Sequence, residues 1–136
     1  MPMLPGPLAA GIYATVKIAG YAGFAYGLNK AASRDIPPFR FGAVKTALGL
    51  VGAITYLLGI APLFGSLANF DLALWLGAIP IRLLVWGLAL AYFYGFRQRP
   101  MLIAAAIPVG VAWSYCLDLL MSLFYRLVPG LAVPFC

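Results

Sequence analysis

The stretch Met101–Leu127, MLIAAAIPVGVAWSYCLDLLMSLFYRL, decides the fold of this chain. It is apolar almost throughout and carries Asp118 well inside it, with Arg126 close to its end. A helix rises 1.5 Å per residue and needs about 20 residues to cross a hydrocarbon core of ~30 Å. The stretch is long enough, and it predicts a transmembrane helix.

Three further apolar runs of similar length precede it, namely Leu8–Leu28, Gly42–Phe64 and Phe70–Phe96. Of the 136 residues, 65% are hydrophobic and 9% are charged, well outside the usual composition of soluble domains. The runs are continuous and lack the alternation of membrane β-strands. We therefore predict an all-α fold, a single integral-membrane domain over residues 1–136 with four transmembrane helices.

The connections between the runs predict how the helices are arranged. The first is a polar loop of about a dozen residues over 29–40, the second is the short segment 65–69, and the third is the basic turn 97–100. Short connections place consecutive helices side by side and antiparallel. The expected architecture is an up-and-down four-helix bundle.

Basic residues predict the orientation of the bundle in the membrane. The first and third connections lie on the same side and are rich in lysine and arginine, which is typical of the cytoplasmic face. Both termini are then expected outside, in a cytoplasmic membrane such as the bacterial inner membrane. These side chains either set the topology alone or also bind anionic lipid headgroups. They are Lys30, Arg34, Arg40, Arg97 and Arg99.

The composition argues against several functional classes. The chain has no histidine, and its three acidic residues are Asp35, Asp71 and Asp118, so we expect no metal site, no cofactor and no catalytic residues of the usual kinds. Cys116 and Cys136 show no metal or redox spacing, and Cys116 is expected to be a small buried hydrophobe. The net charge of +6 is placed as membrane topology requires, and nucleic acid is not an expected partner.

Three charged side chains lie deep inside three different runs: Lys17, Arg82 and Asp118. Counted from the outer helix ends, their depths are ~13, ~18 and ~13 Å, so all three can meet in one layer. Two cations and one anion leave a net positive charge in a low dielectric, which attracts anions. We therefore expect a ligand or ion site there, with Tyr115 and Ser114 supplying hydroxyl groups.

A structural interpretation stays open beside the functional one. Arg82 and Asp118 can form an ion pair that only fixes helix packing, and Lys17 can extend its charged end toward the membrane surface. The spacing of Tyr13, Lys17 and Tyr21 also predicts cation–π contacts that lower the cost of burying the ammonium group.

Glycines mark the faces on which the helices can approach closely. The first two runs carry them on overlapping faces, and the expectation is packing of the first helix against the second, with a dimer seam as the alternative. The glycines assigned to packing are Gly20, Gly23, Gly27, Gly49 and Gly52.

Three functional classes follow from these features. The first is a small transporter or channel, expected to be oligomeric, that holds an anionic solute or coupling ion at the buried charges. The second is a non-catalytic accessory or assembly subunit of a larger membrane complex. The third is a lipid-modifying membrane enzyme with Asp118 as base, for which a lone carboxylate offers little chemistry. The expected partners are the lipid bilayer and either further copies of this chain or a larger membrane protein.

Overall fold

The computed structural model describes residues 7–60 and 78–127, and these residues form a bundle of four helices without β-strands. The second helix continues directly into a π-helical segment, Tyr56–Ile60. The helices are α1 (Pro7–Ala32), α2 (Pro38–Thr55), α3 (Ile79–Tyr94) and α4 (Pro100–Leu127). The predicted all-helical bundle is therefore confirmed for the described ranges.

The boundary between α1 and α2 differs from the prediction. The polar segment 29–40 was expected to be loop throughout, yet the loop is only Ser33–Pro37. Pro38 opens α2, because a proline in the first helical turn leaves no hydrogen bond unmade. The amide Nδ2 of Asn29 donates a hydrogen bond to the carbonyl oxygen of Ile36 at 2.7 Å and ties the short loop to α1.

Helix α3 is bounded by similar signals. Pro80 lies in its first turn, and Gly95 follows its last residue with φ +72°, a left-handed conformation that favours glycine. The predicted second connection, residues 65–69, and the beginning of the third predicted helix, residues 70–77, lie outside the described residues. So does the segment 128–136.

Side-chain contacts between the helices give their directions. Near one level of the bundle Lys17 and Arg82 both contact Asp118, and farther along Tyr94 Oη donates to Asn29 Oδ1 at 2.8 Å. Sequence numbers thus rise together in α1 and α3, which run parallel. Helix α4 is antiparallel to α1, because Asp118 meets Lys17 whereas the earlier Trp113 meets the later Gly20. Helix α2 packs against α1 and α3 and is antiparallel to α3, because Phe41 meets Tyr94 whereas Gly52 faces Ile81. This is the up-and-down arrangement that the short connections predicted.

Trp86 lies at the centre of the aromatic core. Its ring is fully buried and meets the rings of Tyr21, Phe24 and Phe41 at centroid distances of 5.6, 4.8 and 6.1 Å. The three partners come from α1 and α2, while Trp86 belongs to α3. One indole therefore joins three helices.

The glycines divide into those that pack and those that do not. A Cβ on Gly42 would collide with the backbone of Ile18, so α1 and α2 approach closely there. Gly20 faces Leu117 of α4, and Gly52 faces Ile81 and Val85 of α3, whereas Gly49 is buried beside α3.

Gly23 and Gly27 have no described neighbour where a side chain would project. They line an open groove between α1 and α4, away from α2, where the sequence had placed their packing.

The described bundle buries Lys17, Lys45 and Asp118 and exposes many large apolar side chains. Leu58 is 77% exposed, and sixteen other large apolar or aromatic residues are also exposed, including Leu50, Leu84, Leu88, Leu119 and Leu120. Cys116 is exposed as well, so the expectation that it is buried was wrong. Among the described helices one segment, Pro100–Met121, is long and apolar enough by itself to cross a membrane.

Candidate functional site

Asp118 of α4 lies between two cations from two other helices. The ammonium group of Lys17 on α1 donates to its Oδ1, and Arg82 Nη2 on α3 donates to its Oδ2 at 2.7 Å. Each carboxylate oxygen therefore has its own cationic donor. The three charges that the sequence placed at similar depths contact one another and connect α1, α3 and α4.

These charges are almost completely removed from the surface of the described chain. The exposed fraction is 0% for Lys17, 2% for Asp118 and 11% for Arg82. Removing a charge from water costs several kcal/mol, a cost that short contacts with opposite charge and further hydrogen bonds offset. The side chains are thus held in a fixed geometry with little freedom to reach the surface.

Aromatic rings surround the cationic groups. Lys17 Nζ lies 5.4 Å from the ring centroid of Tyr13 and 5.7 Å from that of Tyr21, so the spacing-based prediction of flanking rings is confirmed. Arg82 lies over the ring of Tyr115, with Cζ 4.2 Å from the centroid. Tyr115 therefore contributes its ring face to the site, where a cation is attracted to the π electrons.

Lys45 is a fourth buried charge that was not among the predicted site residues. It lies three residues after Gly42, the predicted start of the second helix, where a lysine is expected to extend to the membrane surface, yet it is only 3% exposed. Its ammonium lies 4.5 Å from the centroid of Tyr21 and 4.9 Å from that of Trp86. Its spacing from two glycines could have indicated this burial. Lys45 lies three residues after Gly42 and four before Gly49, which places all three on the same face of α2, the face that packs closely.

Ser114 is buried beside the charges and is hydrogen-bonded to the aromatic core. Trp86 Nε1 donates to Ser114 Oγ at 2.9 Å, and Tyr21 Oη lies 3.2 Å from the same oxygen. Ser114 precedes Asp118 by one helical turn, so both side chains project from the same face of α4. The sequence predicted that Ser114 supplies a hydroxyl group to the charged layer, and the structure shows its hydroxyl group hydrogen-bonded to Trp86 and Tyr21 of the aromatic core.

A small cavity lies between Lys45 and Arg82. Ser114 and Gly49 form part of its wall, and Ile81 and Val85 complete the lining. Its volume is ≈ 10 Å³, roughly what a single water-sized sphere occupies. Any ligand held there is small unless the helices move apart.

The charges of these residues favour an anion. Asp118 carries one negative charge and contacts two cations, so this group of three has a net charge of +1. Lys45 adds a further positive charge close by, because the ammonium groups of Lys17 and Lys45 both lie near the ring of Tyr21. Among the described residues no group of three His, Cys, Asp or Glu side chains could hold a metal ion.

The basic residues expected at the membrane surface have a different environment. All five are exposed, and they occur at the end of α1, in the two short loops and in the first turn of α2. Lys30 lies over the ring of Tyr26 with its Nζ 5.1 Å from the centroid. The other residues of this group are Arg34, Arg40, Arg97 and Arg99.

Comparison with known proteins returned no match to a protein-family model, a curated protein or a solved structure. Function is therefore inferred from the site and the surface of this chain.

Proposed function

We propose that the chain is a small integral membrane transporter or channel whose bundle core holds an anionic solute or a coupling ion. The observation that carries the proposal is the excess of cations over carboxylates around Asp118 among the residues that the structure describes. Lys17 and Arg82 share one carboxylate, and Lys45 lies next to them, all inside the bundle. Ionisable residues buried in membrane segments are costly and mark solute or ion pathways by default.

Placement in a membrane is supported by the distribution of apolar side chains. Large hydrophobic residues are exposed along the described helices, whereas Lys17, Lys45, Asp118 and Ser114 are buried. A soluble bundle has the opposite pattern, with a polar outer face on each helix. In a bilayer the exposed leucines contact acyl chains, and the charges lie where protein groups can neutralise and hydrogen-bond them.

The small cavity between Lys45 and Arg82 suggests which solutes to test. At ≈ 10 Å³ it is about the size of one water molecule, and an anion as large as chloride already requires the helices to separate. Oligomerisation is part of the proposal because four helices enclose little volume of their own.

Flux through reconstituted liposomes tests the transport proposal. Purified protein is incorporated into vesicles, and the passage of chloride, nitrate, phosphate and protons is recorded for the wild type and for Arg82→Ala and Asp118→Asn. We expect flux of a small anion that both variants reduce. If none of these ions crosses the membrane and both variants only lower stability, transport of the tested ions is excluded and the buried charges have a structural role.

A second candidate is a non-catalytic accessory or assembly subunit of a larger membrane complex. The observation that favours it is the tight contact of the three charges, with little free volume beside them. Extraction in mild detergent followed by affinity purification separates the two candidates. A stoichiometric larger protein favours the subunit, and a homo-oligomer that conducts anions favours the transporter.

A further inference from the structure

An open groove runs between α1 and α4, away from the charged site. Its volume is ≈ 590 Å³, within the ~300–1,000 Å³ range of ligand pockets, and every residue that lines it is apolar. Gly23 and Gly27 form its floor on α1, and Ala105 lies on the α4 side. The two glycines keep the groove open because they project nothing into it.

The two ends of the groove differ in chemistry. At one end Trp113 reaches across from α4 and donates from Nε1 to the carbonyl oxygen of Gly20 at 3.0 Å, which closes the groove with an indole ring. At the other end the lining residues are Ala31 and Leu102. Exposed Lys30 directly precedes Ala31, and exposed Arg99 lies one turn before Leu102. The groove therefore runs from the indole ring of Trp113 at one end to an opening near Lys30 and Arg99 at the other, which we call its mouth.

Its length matches one leaflet of a bilayer. Gly23 and Ala31 are eight residues apart, which corresponds to ~12 Å along the helix axis. Half of a ~30 Å hydrocarbon core is ~15 Å. The mouth also lies on the side of the bundle that carries the basic loops, where anionic lipid headgroups attract lysine and arginine.

We propose that this groove binds one acyl chain of an anionic phospholipid, whose headgroup is held by Lys30 and Arg99. Shape and charge together select this occupant: the apolar walls accept hydrocarbon, and the cations at the mouth complement a phosphate group. The proposal requires the membrane placement included in the proposed function, but it does not require transport.

Fluorescence quenching by brominated lipids tests the proposal, because Trp113 lines the groove. The protein is reconstituted in phosphatidylcholine vesicles that contain the same small fraction of either brominated phosphatidylglycerol or brominated phosphatidylcholine. The signal of Trp113 is the difference between wild type and Trp113→Phe. We expect phosphatidylglycerol to quench this signal more strongly, and neutralising one cation with Lys30→Gln or Arg99→Gln to lower the preference about fivefold.

Groove-filling variants distinguish a specific site from general attraction to the surface. Gly27→Leu and Ala105→Leu fill the groove from opposite walls and are expected to abolish the preference. Gly11→Leu is the matched control, since Gly11 is also an exposed α1 glycine with no neighbour within 4 Å of an added Cβ. It is expected to leave the preference unchanged.

Equal quenching by the two lipids in the wild type would overturn the proposal, and so would a preference that survives both groove-filling variants. The proposal would also be overturned if Gly27→Leu converted an oligomer to a monomer. That result would show that the groove of the wild type binds a second copy of the chain. Co-flotation of the protein with the vesicles keeps this test separate from the proposed function. If the protein does not float with the vesicles, the membrane placement is wrong. If it floats but shows no preference between the two lipids, only the proposed lipid site is wrong.

Discussion

The indole ring of Trp86 fills the space that a side chain on Gly110 would occupy. A Cβ built on Gly110 would lie 2.6 Å from two ring atoms of Trp86, closer than carbon atoms approach in proteins. The same ring is the meeting point of Tyr21, Phe24 and Phe41. The packing of α4 against α3 thus depends on the absence of a side chain at position 110.

Gly110→Ala is therefore expected to destabilise the bundle. The new methyl group must displace a ring that is packed on several sides, and overpacking of this kind costs about 1–3 kcal/mol. Gly87→Ala is the control on α3, because its Cβ would lie 3.9 Å from Ile107 in ordinary contact. Chemical unfolding in mixed micelles measures both, and equal stability of the two variants would contradict the close packing of Trp86 with α4.

The hydrogen bond from Trp86 to Ser114 gives a second prediction. Ser114→Ala leaves the buried indole N–H without this acceptor, and an unsatisfied buried donor costs about 1–3 kcal/mol. In the Trp86→Phe background the same serine substitution should cost less, because the donor is already gone. A double-mutant cycle measures the difference. Strictly additive effects would show that the bond does not contribute to stability.

The charged contacts predict unequal effects of single and combined substitutions. Asp118→Leu removes the carboxylate that Lys17 and Arg82 share, and loss of one partner from a buried ionic group costs about 3–5 kcal/mol. Replacing the whole group, as in Lys17→Met, Arg82→Met, Asp118→Leu, is expected to restore most of that stability. Unfolding free energies in mixed micelles are compared for the wild type, the single variant and the triple variant.

The triple variant also separates the structural role from the functional one. It should fold and insert into vesicles but no longer pass anions, since its core carries no charge at these positions. Flux that equals the wild type in a stable triple variant would show that these residues only maintain the fold.

Lys17 and Lys45 show what the sequence could and could not predict. Both are buried, but the sequence predicted burial only for Lys17. The helices, their antiparallel order and the contact of Lys17 with Asp118 follow from run length and depth, which depend on axial rise alone. Lys45 was misplaced because it lies near a predicted helix end, where a lysine normally extends to the membrane surface. The close approach of α1 and α2 at Gly42 directs it inward, and that depends on tertiary packing.

The groove illustrates the same limit. A Gly-x-x-x-Gly spacing indicates that a helix can be approached closely, but it does not say by what. In α1 the close contact is made at Gly20, whereas Gly23 and Gly27 line the groove. Which glycine of a helix packs depends on the rotation of that helix about its axis, which the described contacts give.

Lys45 yields a prediction of its own. If the cavity beside it holds the anion, Lys45→Met should lower anion flux. Arg40→Gln is the control at an exposed position of the same helix. Flux that falls equally in both variants would assign Lys45 a general electrostatic role.

Exposed Cys116 tests whether the apolar surface faces lipid. It lies on α4, and a thiol surrounded by acyl chains is out of reach of a charged reagent that cannot enter the hydrocarbon core. In a Cys136→Ser background incorporated in nanodiscs, which leave both membrane faces open, we expect Cys116 to resist a charged maleimide until the protein is unfolded in SDS. Gln98→Cys, placed in the exposed turn before α4 in a chain that also carries Cys116→Ser, should react at once. Rapid labelling of Cys116 at the rate of the position-98 control would place this face of α4 in water and contradict the membrane placement.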